Sequence, residues 1–102
     1  MRCRRREPVP EEVRRAAGLL ERRWTISILY ASVDGAIRFN EFRDALGRVP
    51  PATLTARLTE LVEAGLLERR VLDTRPPAVE YRLTQTGRRF EPVVRAIGRC
   101  AR

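Results

Sequence analysis

The chain has 102 residues, enough for one domain with a modest core. Hydrophobic residues make up 43% of it, which excludes a chain disordered by composition, and its apolar runs fall far short of the roughly 20 residues of a membrane span. The net charge is +8 and all 21 basic residues are arginine, an excess that favours a polyanionic partner, with nucleic acid the first candidate.

Residues 1–7 read as a flexible basic arm, and residues 8–102 as the folded domain. Pro10, Glu11 and Glu12 mark a helix start, because proline suits the first turn and acids suit the positive end of the helix dipole. Val13, Ala16, Ala17 and Leu20 then recur at helical spacing. A second helix opens at Trp24, a core anchor, carries Ile26, Leu29, Tyr30 and Val33, and closes at Asp34-Gly35. Ile37-Arg38-Phe39 reads as a short extended piece. Asn40 is the expected N-cap of a third helix carrying Phe42, Ala45 and Leu46, ended by the turn Gly47-Arg48-Val49-Pro50. A fourth helix runs from Pro51 to about Gly65, with Leu54, Leu58, Leu61 and Val62 as its buried stripe.

Past Gly65 the periodicity changes from helix to strand. Leu67, Arg69 and Val71 point one way, and so do Val79, Tyr81 and Leu83, with Glu80 and Arg82 opposite. The stiff loop 73–78 between them predicts an antiparallel hairpin. Thr84 caps a last helix with Phe90, Val93, Val94, Ile97 and Cys100 on its apolar face, and Pro92 demands a late start or a kink.

The expected fold is therefore α+β, mostly helical, in the order of a winged helix-turn-helix. The third and fourth helices form the helix-turn-helix, and the hairpin after them forms the wing. Two cysteines, Cys3 and Cys100, and no histidine cannot build a typical structural zinc site in one chain. The commonest general base is missing, no nucleophile triad is available, and no glycine-rich phosphate loop is present, so neither an enzyme, a metal nor a cofactor is expected. The arginines after Met1 lead into no apolar stretch of a signal peptide, so a cytoplasmic location with no membrane partner is expected.

Several stretches carry a specific resemblance. Arg23-Trp24, Ile26 to Leu29 and Arg38-Phe39-Asn40-Glu41-Phe42 come first, followed by Leu54-Thr55-Ala56-Arg57-Leu58 with Leu61. Ala64-Gly65-Leu66-Leu67-Glu68-Arg69 and Val79-Glu80-Tyr81-Arg82-Leu83-Thr84 with Gly87 complete the set. In this order they resemble the HxlR family of winged-helix regulators over about residues 11–100. The resemblance implies a homodimeric cytoplasmic repressor or activator on a pseudo-palindromic double-stranded DNA operator. It also implies dimer contacts through the first and last helices, whose exposed stripes would include Val13, Ala17, Leu20, Phe90, Val94 and Ile97. The alternative is that these stripes pack only within the subunit. Many relatives carry a sensing cysteine before the first helix. Here that position is near Glu11, and Cys3 lies upstream as the candidate redox residue, in an arginine-rich arm that favours its thiolate. Relatives usually place a capping serine where this chain has Pro50.

At about 100° per residue, the leucines of the fourth helix share one face, while Ala52, Thr53, Ala56 and Thr59 face away, flanked by Thr55 and Arg57. Such a short-chained face lets a helix seat deeply against base edges. Arg57 is the expected strong polar contact to DNA, with an internal ion pair to Glu60 as its alternative. Arg75 at the hairpin tip is expected at a minor groove or flanking phosphate, or else simply exposed, and Arg38 and Arg43 near phosphates. An unknown small-molecule effector is a further expected partner. The rival function is a winged-helix protein–protein interaction module that never touches DNA, which would need an apolar exposed face on the fourth helix.

Overall fold

The computed structural model describes residues 6–102, so Cys3 and most of the basic arm lie outside the described residues. Along the chain run α1 (Glu11–Leu20), α2 (Thr25–Val33), α3 (Phe39–Leu46), α4 (Pro51–Glu63), β1 (Leu67–Leu72), β2 (Ala78–Leu83), the single-turn α5 (Gln85–Arg88) and α6 (Glu91–Cys100). The core joins Ile28, Leu29 and Ala31 of α2 to Phe42 of α3, to Leu54, Leu58 and Leu61 of α4, and to Val94 of α6. Val49, Leu66 and Leu67 close its edges. Burying side chains of this size is worth about 1.5–3 kcal/mol each. The α2 helix is the hub, touching α1, α3, α6 and the second strand. By contrast, α1 has no buried residue.

The third helix begins earlier than its sequence suggests. Glu41 reaches back and accepts from the backbone N–H groups of Ile37 and Arg38, both at 2.9 Å. These two bonds start the helix at Phe39 with Arg38 as its N-cap, so Asn40 sits inside it. Arg38 has no side-chain acceptor, so only the reach-back half of a capping box forms. The extended piece expected at residues 37–39 reduces to one backbone bond, from Tyr81 N to the Ile37 oxygen at 2.7 Å, and adds no third strand.

β1 and β2 pair antiparallel, with Leu67 opposite Leu83, Arg69 opposite Tyr81 and Arg70 opposite Glu80. The alternation holds, but its burial corrects the expected one. Val71, on the apolar face, is 57% exposed because the wing runs beyond the core, whereas Glu80, expected outward, is only 6% exposed. Its carboxylate is buried because two arginines cover it: Arg82 Nε at 2.9 Å and Arg38 at 3.9 Å. An ion pair thereby ties the wing to the start of α3.

After the wing, Thr84 does cap a turn, its hydroxyl accepting from Gly87 N at 3.0 Å and donating to the Gly65 oxygen at 2.5 Å. The expected single last helix is broken into two, because Pro92 cannot continue α5 but fits the first turn of α6. Gly87 is buried where α5 packs on the turn between α4 and β1, and a Cβ there would collide with the Leu66 carbonyl oxygen and press on Leu83.

Gly87→Ala is therefore expected to destabilise the fold by about 1–3 kcal/mol, the usual range for overpacking, read as a lower denaturation midpoint at unchanged slope. An unchanged midpoint would refute the close approach. A second expectation concerns pH. The Ile37 and Arg38 N–H groups, with the Arg38 charge adding to them, hold the Glu41 carboxyl below its ordinary range. A group depressed in the folded state contributes stability that is complete above its unfolded pKa and lost as pH falls through its folded one. Wild type should exceed Glu41→Gln in stability at neutral pH, and the gap should close on acidification. A gap independent of pH would count against the charged cap.

Candidate nucleic-acid interface

The α4 helix is held on one side and bare on the other. Leu54, Leu58 and Leu61 are each 0% exposed. Ala52, Thr55, Ala56 and Thr59 are all exposed, and Pro51 begins the same outward strip. Thr53 and Thr55 exchange their expected places: Thr53 is half-buried on the flank, whereas Thr55 stands outward. Thr53 lines a recess of about 370 Å³ with Arg23, Trp24, Arg48, Pro50 and Arg57. Pro50 gives the helix no side-chain cap, and Pro51 at its first position supplies fixed backbone angles instead.

Arg57, expected on the flank as a polar contact to DNA, is folded back into the subunit. Its Nε donates to the Arg23 carbonyl oxygen at 2.9 Å and its Nη1 to Glu60 Oε2 at 3.2 Å. Its side chain is 15% exposed. Arg22 joins the same carboxylate oxygen at 3.0 Å. This Arg22–Glu60–Arg57 group fastens the recognition-helix candidate to the segment between α1 and α2. In that segment Trp24 adopts a left-handed φ of 80°, and the Arg23 guanidinium lies 5.0 Å from the centre of its ring. The alternative reading of Arg57 as an internal ion pair thus describes its geometry.

The wing and the start of α3 bring further cations together. Arg38, Asn40, Thr74 and Arg75 line a cleft of about 500 Å³ between the start of α3 and the wing tip, floored by Pro76 and Pro77. Thr74 Oγ1 donates to the Pro76 oxygen at 2.8 Å and fixes the tip. Arg75 is exposed, as is Arg43 on the last turn of α3. Asn40 lines this cleft although a local sequence reading assigns it to the helix cap. Arg48 was missed because it lies in the connecting turn, where it is exposed beside α4.

The residues expected at a dimer face divide. Val13 is 49% exposed and Ile97 is 42% exposed. Ala17, Leu20 and Phe90 are half-buried. Val94 is corrected to a core residue, 1% exposed within a single chain, because α6 turns it onto α2. Its neighbour Val93, 43% exposed, stands outward instead. Cys100 is a free, exposed thiol at the end of α6. No helix among the described residues is long and apolar enough to cross a membrane.

With this geometry, comparisons with known proteins agree. The family model described as HxlR-like helix-turn-helix matches residues 19–102. The HTH-type transcriptional regulator YdeP of Bacillus subtilis is 43% identical over 72 residues, covering 71% of this chain and 56% of that protein. The HTH-type transcriptional regulator Rv3095 of Mycobacterium tuberculosis is 44% identical over 78 residues, covering 76% of this chain and 49% of that protein. The chain thus spans about half the length of the curated relatives it matches. The solved reduced form of the transcriptional regulator YodB from B. subtilis superposes with a TM-score of 0.80 at 30% identity, covering 92% of each chain. All three are named as transcriptional regulators. The chain belongs to the HxlR-like helix-turn-helix family, with a winged-helix fold.

Proposed function

We propose that this chain binds double-stranded DNA sequence-specifically as a homodimeric transcription regulator, with residues 8–102 acting as the DNA-binding and dimerisation unit. In this reading α4 enters the major groove, and the wing lies on the flanking minor groove or phosphates. The observation that carries it is the bare side of α4, where small and hydroxyl-bearing residues stand exposed opposite three fully buried leucines. Ala52 and Ala56 offer methyl groups to thymine, and Thr55 and Thr59 offer hydroxyls to bases or phosphates. Arg38, Arg43 and Arg75 flank this strip as phosphate contacts, and Asn40 and Arg48 extend it. Thr53 and Arg57 serve by holding the helix at its angle rather than by reading bases. The interaction-module reading needs an exposed apolar face on α4, and no large hydrophobic residue stands exposed on that helix.

The dimer is proposed to form through α1 and α6, because α1 leaves Val13 exposed with no buried residue of its own and α6 leaves Val93 and Ile97 exposed. Paired α4 helices would then sit about 34–36 Å apart, one turn of DNA or a multiple. The curated relatives and solved neighbours are named as transcriptional regulators, and that name supports the regulatory reading.

Selection of bound genomic fragments followed by titration tests the DNA reading. Ala56→Glu, which adds bulk and negative charge to the bare face, is expected to lower operator affinity at least about tenfold, or about 1.4 kcal/mol, without lowering stability. Arg75→Ala should weaken all sequences alike and reduce the slope of log affinity against log salt by about one. Operator affinity untouched by Ala56→Glu would overturn the assignment of α4. For the dimer, Val13→Asp is expected to shift sedimentation from two copies towards one, since an unpaired charge would be buried at the seam. A wild-type chain that sediments as one copy at micromolar concentration would end that part of the proposal.

A further inference from the structure

The recess on the flank of α4 takes no part in the bare strip. Its lining comes from three places. Arg23 and Trp24 belong to the segment between α1 and α2, Arg48 and Pro50 to the turn before α4, and Thr53 and Arg57 to the helix itself. Three of the six are arginines and none is an acid. Arg57 is occupied by Glu60 and by the Arg23 carbonyl oxygen. Arg23 and Arg48 are exposed, and neither forms a salt bridge among the described residues.

The wall that carries Arg23 is braced. Arg57 Nε holds the Arg23 carbonyl at 2.9 Å, and the next residue, Trp24, turns the chain with its left-handed φ of 80°. A bulky residue keeps such a backbone only where its surroundings over-determine it. The Arg23 guanidinium lies over the Trp24 ring, 5.0 Å from its centre. The ring attracts the charge without accepting from the N–H groups, which keep their donors for another partner. The recess therefore presents two guanidinium groups with unspent charge, and one of them stands on a wall tied to α4.

We propose that this recess clamps one phosphodiester of the DNA backbone, with Arg23 and Arg48 donating to its oxygens. The proposal rests on the DNA reading of α4 and adds to it a contact, Arg23, from outside the helix-turn-helix. Guanidinium pairs with phosphate in charge-assisted, often bidentate hydrogen bonds. Thr53 in the wall and Ala56 on the bare face are three residues apart on α4, hence neighbours on its surface. A duplex that takes the bare face into its major groove therefore brings backbone to the recess as well. Such a contact carries no sequence information, but it sets how the helix is turned and seated in the groove. A free inorganic anion would fill the recess without touching the bare face, whereas a polyanion meets both at once.

The experiment takes an operator fragment recovered by genomic selection and replaces its phosphates, one linkage at a time, by neutral methylphosphonate. Affinity is measured by fluorescence anisotropy for wild type and for the double variant Arg23→Gln with Arg48→Gln. Both side chains are exposed, so the double variant is expected to keep the wild-type denaturation midpoint, measured alongside. On unmodified operator it should bind about tenfold more weakly, with a salt slope lower by about one per half-site. Several linkages should cost wild type affinity. One per half-site is expected to cost wild type at least about fivefold and the double variant nothing. The proposal is overturned if the double variant feels every methylphosphonate as wild type does, or if it binds unmodified operator as tightly. Inorganic phosphate, titrated at constant ionic strength, is expected to leave the Trp24 fluorescence unchanged. Saturable quenching that the double variant loses, with no linkage singled out, would make the recess a free-anion site and overturn the clamp. Either failure leaves the reading of α4 standing, because base preference and the effect of Ala56→Glu are measured apart from it. A wild-type chain with no preference among DNA sequences would end both.

Discussion

Three leucines on successive turns of α4 decide what the rest of the molecule can do. With Leu54, Leu58 and Leu61 wholly inside, the helix has one permitted rotation, and its other side must face outward. Turning it by one residue would expose a leucine and bury a threonine hydroxyl, a double cost of several kcal/mol in a domain whose total stability is of order 5–15 kcal/mol. The apolar stripe fixes rotation but not tilt. Tilt is set by the polar collar on the flank, where Glu60 gathers Arg22 and Arg57, and Arg57 also grips the Arg23 carbonyl. Core and collar together hold the bare face still, and a pre-set face loses less entropy on meeting a rigid partner.

How much of this was legible in the sequence follows from the range of the interactions. The α1, α2 and α4 helices and the hairpin stand where the periodicity put them, because burial of one face leaves a local trace in spacing. The start of α3 was misplaced because Asn40 is the better cap by type, whereas Glu41 can serve two N–H groups at once. Glu80 was placed outward because alternation says nothing about two arginines waiting on the covered side. The role of Arg57 stayed open for a similar reason. One of its partners is a neighbour in sequence, but the other, the Arg23 carbonyl, is 34 residues away and invisible to any local pattern. Val94 and Val93 differ by one position on a helix, about 100°, and the entry angle after Pro92 chooses which of them meets α2.

The arginines show the same division between what is counted and what is available. A net charge of +8 suggests a uniformly basic surface. Yet Arg14, Arg22, Arg38, Arg57, Arg70, Arg82 and Arg95 each have a carboxylate partner within the fold. In exposed pairs this contributes little to stability, but it weakens the field those residues project, least for Arg38, which stands 3.9 Å from its partner and stays half exposed. The uncompensated charge is left on other positions. Arg48 lies beside α4, Arg75 at the wing tip and Arg43 on α3, while Arg15, Arg69, Arg88, Arg89 and Arg99 are exposed elsewhere. The fold thus leaves part of the excess beside a helix face of base-contacting size and the rest spread over its other elements. A polyanionic duplex suits the first, whose cations line an extended edge.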